Sequence, residues 1–369
     1  MRTSRKRVLF LMPTLSGGGA ERVTLTLLEH LDRSRFESHL ALVDAVGPLL
    51  KDLPTDIPLH DLKAGRVRRA LPGILRVAWG LKPRVIHSAM VELNMATVLL
   101  KGLLPQGLRV LIREDTSPGA LNAQGRKHPL IWNWLYRRLY PRADKIICVG
   151  DHVLDELAGT FAIPRSKLVR IYNPVDLELA RRLAEADGNP YRGKGPHLVA
   201  AGRLAKEKGF DVLLDAMPMV GAASPDADLT ILGEGPLKPD LLAQREALGL
   251  TGAVHVPGFQ PNPYPYFKNA DLFVLPSRWE GFGLVAIEAL AVGTPVVATD
   301  CPGAVREILA GCPLAQLVPP SDPPALAQAI IAALKSPKSA FEPRQSLDSF
   351  LSRFDVKTVL REYEELLEA

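Results

Sequence analysis

The sequence predicts an α/β protein of two Rossmann-like, doubly wound domains facing each other across a cleft. Three observations carry that expectation. The length, 369 residues, is roughly two to three usual domains. Short aliphatic runs alternate with amphipathic ones, and the alternation restarts halfway along the chain. A composition of 47% hydrophobic and 23% charged residues is ordinary for a folded soluble protein and excludes wholesale disorder. Cys148, Cys301 and Cys312 are an odd count without C-x-x-C spacing. They read as reduced thiols, neither a disulfide frame nor a zinc site.

Val8–Met12 reads as the first buried strand and Glu21–Leu31 as a helix with Val23, Leu27, Leu28 and Leu31 on one side. Strands follow at Leu40–Val43, Val85–His87, Val110–Ile112 and Lys145–Val149. Their lack of polar alternation suits a parallel sheet covered on both faces. The second series opens with a strand at Leu198–Ala201. A helix then carries Phe210, Leu213, Leu214 and Met217 at i, i+3, i+4, i+7. Further strands are expected at Asp228–Leu232, Val254–Val256, Leu272–Leu275 and Pro295–Thr299. Between the series lie Asn173-Pro174-Val175-Asp176 and the polar stretch Glu185–Gly195, with turn chemistry at Asn189-Pro190 and Gly193-Lys194-Gly195. The expected domains are therefore 1–175 and 176–354. No apolar run reaches the ~20 residues of a spanning helix. The basic start Arg2–Arg7 with Val8–Leu15 reads as a strand rather than a signal peptide, so a cytoplasmic protein is expected.

Ligands of open α/β sheets bind beyond the carboxyl ends of the strands, and four loops there carry chemistry. Gly17-Gly18-Gly19-Ala20-Glu21 heads a helix, where glycine admits a ligand to the backbone and the helix start favours negative charge. A dinucleotide site would add Asp44, but Gly17-x-Gly19-x-x-Arg22 lacks the third glycine; a plain turn is the simpler alternative. Gly202-Arg203-Leu204-Ala205-Lys206-Glu207-Lys208-Gly209 offers a forked and a point cation that can converge on one pyrophosphate, or else is a solvated loop. Leu232-Gly233-Glu234-Gly235-Pro236 allows a base or ribose to approach, or is a turn. Pro276–Ala291 is the most specific. Glu280 and Glu288 stand eight apart, and each carboxylate can accept two hydrogen bonds from a vicinal diol, Glu280 from a hexose and Glu288 from a ribose. Gly281, Phe282, Gly283 and Leu284 between them present backbone N–H groups at a helix start. Phe282 is expected to be exposed. Dipole stabilisation alone would account for Glu288 but not for Glu280.

The segment Glu280–Glu288, with its Gly-Phe-Gly-Leu core, resembles the signature of the retaining nucleotide-sugar glycosyltransferases of family 4, which have the GT-B fold. Gly17–Glu21, Gly202-Arg203 with Lys208-Gly209, Gly233-Glu234-Gly235-Pro236 and Gly258-Phe259 resemble that family's other motifs, in its order. The resemblance implies that Arg203 and Lys208 bind the donor diphosphate, with no metal or other cofactor. It implies that Glu288 holds the ribose, while backbone near Phe259 and Gly233–Gly235 flanks the base. Glu280 and the amides of Gly281–Leu284 would orient the donor sugar, and Gly17–Gly19 would let the first domain close over the phosphates. The last helix, Lys357–Leu367, would cross back so that about 355–369 packs on the first domain. Where many relatives carry a strand-end histidine, this chain has Arg113-Glu114-Asp115; Arg113, Glu114 and His87 are the candidate contacts there.

The activity so implied is transfer of a hexose or N-acetylhexosamine to a glycan or lipid-linked acceptor, as in polysaccharide or lipopolysaccharide synthesis. Residues 1–190 carry 29 Lys+Arg against 19 Asp+Glu, an excess that calls for an anionic partner. Arg66, Arg68, Arg69, Arg76, Arg126, Lys127, Arg137, Arg138 and Arg142 lie around apolar stretches, and Ile131–Tyr140 mixes aromatics with cations as interfacial helices do. Peripheral attachment to the inner face of an anionic membrane is expected; the plainer alternative makes Trp132 and Tyr136 core residues. A nucleotide-sugar epimerase or hydrolase on the same fold remains open, and less so a nicotinamide-dependent oxidoreductase. No nucleic-acid module is recognised.

Overall fold

The structure, a computed structural model, describes residues 5–123, 125–186, 188–193, 195–335 and 344–369. Arg2 of the basic start and Asp187 and Lys194 of the polar stretch lie outside them. The chain divides into two compact units, Met1–Pro174 with Val356–Ala369, and Val175–Asp355.

The first unit is a seven-stranded parallel sheet of β1 (Lys6–Met12), β2 (Phe36–Leu42), β3 (Leu59–Asp61), β4 (Val85–Ala89), β5 (Arg109–Glu114), β6 (Lys145–Cys148) and β7 (Leu168–Arg170). The second is a six-stranded parallel sheet of β8 (His197–Ala201), β9 (Asp228–Leu232), β10 (Val254–Gly258), β11 (Leu272–Leu275), β12 (Val296–Thr299) and β13 (Ala315–Val318). Their orders are β3-β2-β1-β4-β5-β6-β7 and β10-β9-β8-β11-β12-β13. Each sheet winds outward from its first strand in both directions, so the order reverses between β1 and β4 and between β8 and β11. The connections part at those points and open a crevice at the carboxyl edge. These are parallel-sheet α/β domains, the fold class the alternation predicts.

Central strands are apolar because both faces are covered: Val8, Leu9, Phe10, Leu11 and Met12 are all at most 1% exposed. Phe210, Leu213, Leu214 and Met217 are buried in the core of the second unit, where the helix Pro323–Lys335 adds Leu326 and Ile330. The helix Val356–Glu368 buries Val359, Leu360, Tyr363 and Leu366 in the first unit. There Arg109 donates to the Leu366 carbonyl at 3.0 Å and Arg35 to Glu368 Oε1 at 2.9 Å.

The helix Pro129–Leu139 is pinned to β5 by a buried carboxyl. Glu114, 1% exposed, accepts the Tyr136 hydroxyl at 3.3 Å and the Tyr140 hydroxyl as well. Burial raises Glu114 to about 8 although both hydroxyls pull the other way. The folded chain thus keeps a proton that the unfolded chain gives up near 4.5. Between those values unfolding releases a proton, so stability falls as pH rises from about 5 to 8, by at most about 1.4 kcal/mol per pH unit. Three of the four tryptophans (Trp79, Trp132, Trp134) lie in this unit, so urea unfolding followed by tryptophan fluorescence reports it. Relative to wild type, Glu114→Gln is expected to remove this decline; parallel pH profiles for the two proteins would refute the assignment.

Candidate active site

Five loops meet at the carboxyl edge of the second sheet, following β8, β9, β10, β11 and β12. Across the reversal, Lys208 Nζ on the β8 loop lies 2.6 Å from Glu280 Oε2 on the β11 loop, with the side chains 19% and 11% exposed. Ser277 Oγ, fully buried, donates to the same oxygen at 3.1 Å. Next to this pair Arg278 forks onto Asp211 through two bonds of 2.6 Å, and its backbone N–H reaches the Glu207 carbonyl at 2.8 Å. The β12 loop closes the far side: the Glu280 N–H donates to the Pro302 carbonyl at 3.0 Å. A Cβ on Gly303 (φ +130) would stand 1.6 Å from the Glu280 carbonyl oxygen. Sequence reading identified Lys208 and Glu280 and missed Ser277, Arg278 and Asp211, which hold them.

Arg203, on the same loop as Lys208, is exposed and has no ion pair among the described residues. Glu288 lies in the helix Leu284–Ala291, whose cap Gly283 has φ +90. Its Oε1 accepts the Tyr264 hydroxyl at 3.3 Å, a partner that a lone tyrosine in a loop-rich stretch did not signal. One expectation is corrected here. Phe282 is 4% exposed and meets Phe354 edge-on at 5.9 Å, so its side chain is core and only its backbone is left for a ligand. Gly233 and Gly235 are required by close packing against the β8 loop. A Cβ on Gly233 would lie 1.9 Å from the Gly202 carbonyl oxygen, and one on Gly235 would lie 2.4 Å from that of Leu204. Glu234 spends its exposed carboxylate on Lys238, 2.6 Å away, and Phe259 is 49% exposed.

Burial, with the Glu280 charge second, pushes the Cys301 thiol up to about 12, which leaves it protonated and inert. The one Asp-x-Asp triplet of the chain, Asp226-Ala227-Asp228, lies at the opposite end of β9, where Asp228 binds His197 at 2.8 Å. Among the described residues no group of three or more His, Cys, Asp or Glu side chains could hold a metal.

In the first unit, Gly17 has φ +106, and a Cβ on Gly18 would lie 2.4 Å from Glu21 Oε2. A Cβ on Gly19, at the head of the helix Gly19–His30, would meet nothing within 4 Å. The backbone there is open. The other candidate contacts are enclosed. His87, 1% exposed, lies against Phe10 (5.0 Å between centroids) and Tyr363 (5.9 Å), and burial with the Arg113 charge lowers it to about 3. Arg113 is 0% exposed and donates to Asn173 Oδ1 at 2.8 Å. Glu114 is engaged with its tyrosines.

The helix Pro129–Leu139 turns two faces outward and inward. Tyr136 and Leu139 are buried, whereas Leu130, Ile131 and Trp134 are 82%, 57% and 61% exposed. Trp132 is half-buried beneath the Arg126 guanidinium, 3.6 Å from the ring centroid. The core alternative thus holds for Tyr136 alone. No helix among the described residues is long and apolar enough to cross a membrane.

Comparison with known proteins gives the site its context. Residues 17–179 match the family described as Glycosyltransferase Family 4 and residues 195–336 that described as Glycosyl transferases group 1. The chain is 32% identical over 317 residues, 80% of its length and 81% of the other's, to N-acetylgalactosamine-N,N'-diacetylbacillosaminyl-diphospho-undecaprenol 4-alpha-N-acetylgalactosaminyltransferase of Campylobacter jejuni. It is 28% identical over 236 residues, 62% of each chain, to the lipopolysaccharide core biosynthesis mannosyltransferase LpsB of Rhizobium meliloti. Anabaena HepE, solved in complex with UDP, superposes with a TM-score of 0.79 over 98% of this chain and 99% of that one at 20% identity, a likeness of fold. The chain belongs to the glycosyltransferases of the group 1 and family 4 type, and its two parallel-sheet units are those of the GT-B fold.

Proposed function

We propose that the protein is a retaining, metal-independent glycosyltransferase. It moves a hexose or N-acetylhexosamine from a nucleotide diphosphate sugar to a lipid-linked or saccharide acceptor in cell-envelope polysaccharide synthesis. The observation that carries this reading is the Lys208–Glu280 pair at the reversal of the second sheet, with Arg203, which has no ion pair among the described residues, on the same loop.

Departure of the nucleoside diphosphate builds charge on its oxygens. Lys208, held in place by Glu280, and Arg203 on the same loop meet that charge, and a pre-set cation stabilises the transition state more than the ground state. Glu280 accepts sugar hydroxyls while the amides of Gly281–Leu284 orient the ring. Glu288, steadied by Tyr264, holds the ribose diol, and backbone at Gly233–Gly235 and Phe259 flanks the base. The acceptor oxygen bonds to the anomeric carbon on the face that the diphosphate leaves, and the departing diphosphate oxygen takes the acceptor proton. The UDP bound to HepE and the diphospho-undecaprenol acceptor in the Campylobacter relative's name support this reading.

Attachment to the inner leaflet fits the first unit. Residues 62–142 carry 15 Lys+Arg against 3 Asp+Glu, and Leu130, Ile131 and Trp134 stand out among them. Trp79 (53%), Leu99 (57%) and Leu103 (61%) extend the exposed apolar surface of that segment.

A thermal-shift series with UDP, GDP and ADP is expected to show stabilisation by at least one, weakened in Glu288→Ala. With the matching nucleotide sugar, Lys208→Ala is expected to lower kcat by roughly 100- to 1,000-fold. Stabilisation by none of the three, undiminished turnover in Lys208→Ala, or an inverted linkage in the product would each overturn the corresponding part of the reading. In sedimentation with phosphatidylglycerol vesicles at low salt, the wild type is expected to pellet. Ile131→Ser with Trp134→Ser is expected to weaken partition about tenfold or more. Wild-type protein that stays in the supernatant would refute membrane attachment.

A further inference from the structure

Glu288 and its partner Tyr264 are held from behind by one helix. The segment Leu177–Ala184 starts where the Asp176 carboxylate caps it, accepting the Leu179 N–H at 2.8 Å, and it buries Leu177, Ala180 and Ala184. Alanines four apart lie on one face and add no bulk there, so the helix can approach its neighbours closely. It packs against both the helix Leu284–Ala291, which bears Glu288, and the helix Tyr264–Asn269.

Polar links fix those contacts. Arg181 Nε donates to the Ala291 carbonyl at 2.9 Å. Ala291 ends its helix, so this carbonyl has no partner within it, and a cation is favoured at that end. On the other side Asn262 donates to the Leu183 carbonyl at 3.0 Å, while its own side-chain oxygen accepts the Tyr264 N–H at 3.3 Å. Lys268 reaches Glu185, just past the helix, at 2.5 Å. One element therefore grips the supports of both members of the Tyr264–Glu288 pair.

Arg181 alone among these links has a second anchor. Its Nη2 is ion-paired with Asp348 of the helix Arg344–Leu351, so the guanidinium joins its own helix to two others. The pair is partly exposed, 33% and 45%, and such a pair adds little stability by itself. Its effect is on aim. The planar guanidinium meets a carbonyl on one edge and a carboxylate on another, a fork that an ammonium does not provide. Hydrogen bonds weaken steeply when donor and acceptor are misaligned, so the hold of Glu288 on a diol depends on where the helix Leu284–Ala291 stands.

We propose that Arg181 is a positioning residue for the donor's ribose: by fixing the end of the helix that bears Glu288, it sets that carboxylate where a ribose diol can reach it. This rests on the transferase reading, in which Glu288 holds the ribose, and adds a residue that none of the sequence motifs includes.

Calorimetry of the full chain with UDP, GDP and ADP, and with their 2′-deoxy counterparts, tests it. Loss of the 2′-hydroxyl is expected to lower the wild type's affinity for whichever of the three binds by about tenfold or more, as for a hydrogen bond to a charged group. In Arg181→Ala that ratio is expected to shrink to about a third of its wild-type value or less, the effect of a residue coupled to Glu288. Arg181→Lys, which keeps the charge but not the fork, is expected to shrink it about twofold or more, and it carries the test if the alanine variant does not fold. A merely structural role would weaken both members of a nucleotide pair alike and leave the ratio unchanged; that result in a folded variant would overturn the proposal. So would a wild type indifferent to the 2′-hydroxyl. Failure of the transferase reading shows separately, as a wild type that binds none of the three diphosphates, and the proposal falls with it.

Discussion

The ion pair between Lys208 and Glu280 is the interaction on which the second unit's site depends, because it spans the point where the β8 and β11 loops part. A side-chain pair that is four-fifths or more buried is costly to strip of water, and attraction repays the cost only when the geometry is held. Here it is held on both sides. Ser277 satisfies the engaged oxygen of Glu280, and the Arg278–Asp211 fork ties the same two loops a few residues away. The glycines belong to this scaffold. Gly209 packs where a Cβ would stand 2.1 Å from the Pro276 carbonyl oxygen, and Gly233 and Gly303 make equally close approaches to neighbouring loops. The backbones can then cross near enough for the short polar links to form. The Lys208 charge is balanced by Glu280. Arg203, on the same loop, is exposed and has no ion pair among the described residues.

The sequence disclosed most where burial is simplest. Strands covered on both faces are uninterrupted aliphatic runs, and Asp228–Leu232 and Leu272–Leu275 end where the pattern says they do. Strands at the sheet margins are hidden. Leu59–Asp61 and Leu168–Arg170 are three residues long, with one face toward water, so they leave no run to detect. The β2 strand begins at Phe36, four residues ahead of the expected Leu40, because Glu37, Ser38 and His39 still pair in register with Arg7, Val8 and Leu9 of β1. The site divides the same way. Motif residues that stand at strand ends were identified, but the partners that fix them come from distant stretches: Tyr264 for Glu288, and Asp211 for Arg278. Hydrogen bonds across 24 and 67 residues leave no periodic trace.

Arg113-Glu114-Asp115 shows why a motif at a strand end is ambiguous until the pleat is known. Three consecutive charges look alike in sequence, yet alternation sends one to the face bearing His87 and Tyr363, one to the tyrosines of the opposite face, and leaves the third at the rim. A one-residue shift of the strand's end would exchange their roles. A carboxyl surrounded by tyrosines ties a helix to the strand, whereas the one at the rim is paired with the guanidinium of its own strand.

The same tie shapes the charge of the first unit. Of the three acidic residues between positions 62 and 142, Glu114 is held neutral at physiological pH by burial, Glu92 pairs with Arg126, and Asp115 pairs with Arg113. None of the three is left to neutralise the other cations, of which Lys101 pairs with Asp144, so most of the basic excess of this segment is uncompensated. The helix that Glu114 anchors through Tyr136 is also the one that presents Leu130, Ile131 and Trp134 outward. Because its inner face is satisfied by the tyrosines and Leu139, the outer apolar residues cannot be drawn into the core by a small rotation without unseating buried hydroxyls. Their exposure is therefore imposed by the packing beneath them, and together with the uncompensated cations around them it makes a surface suited to an anionic, partly apolar partner.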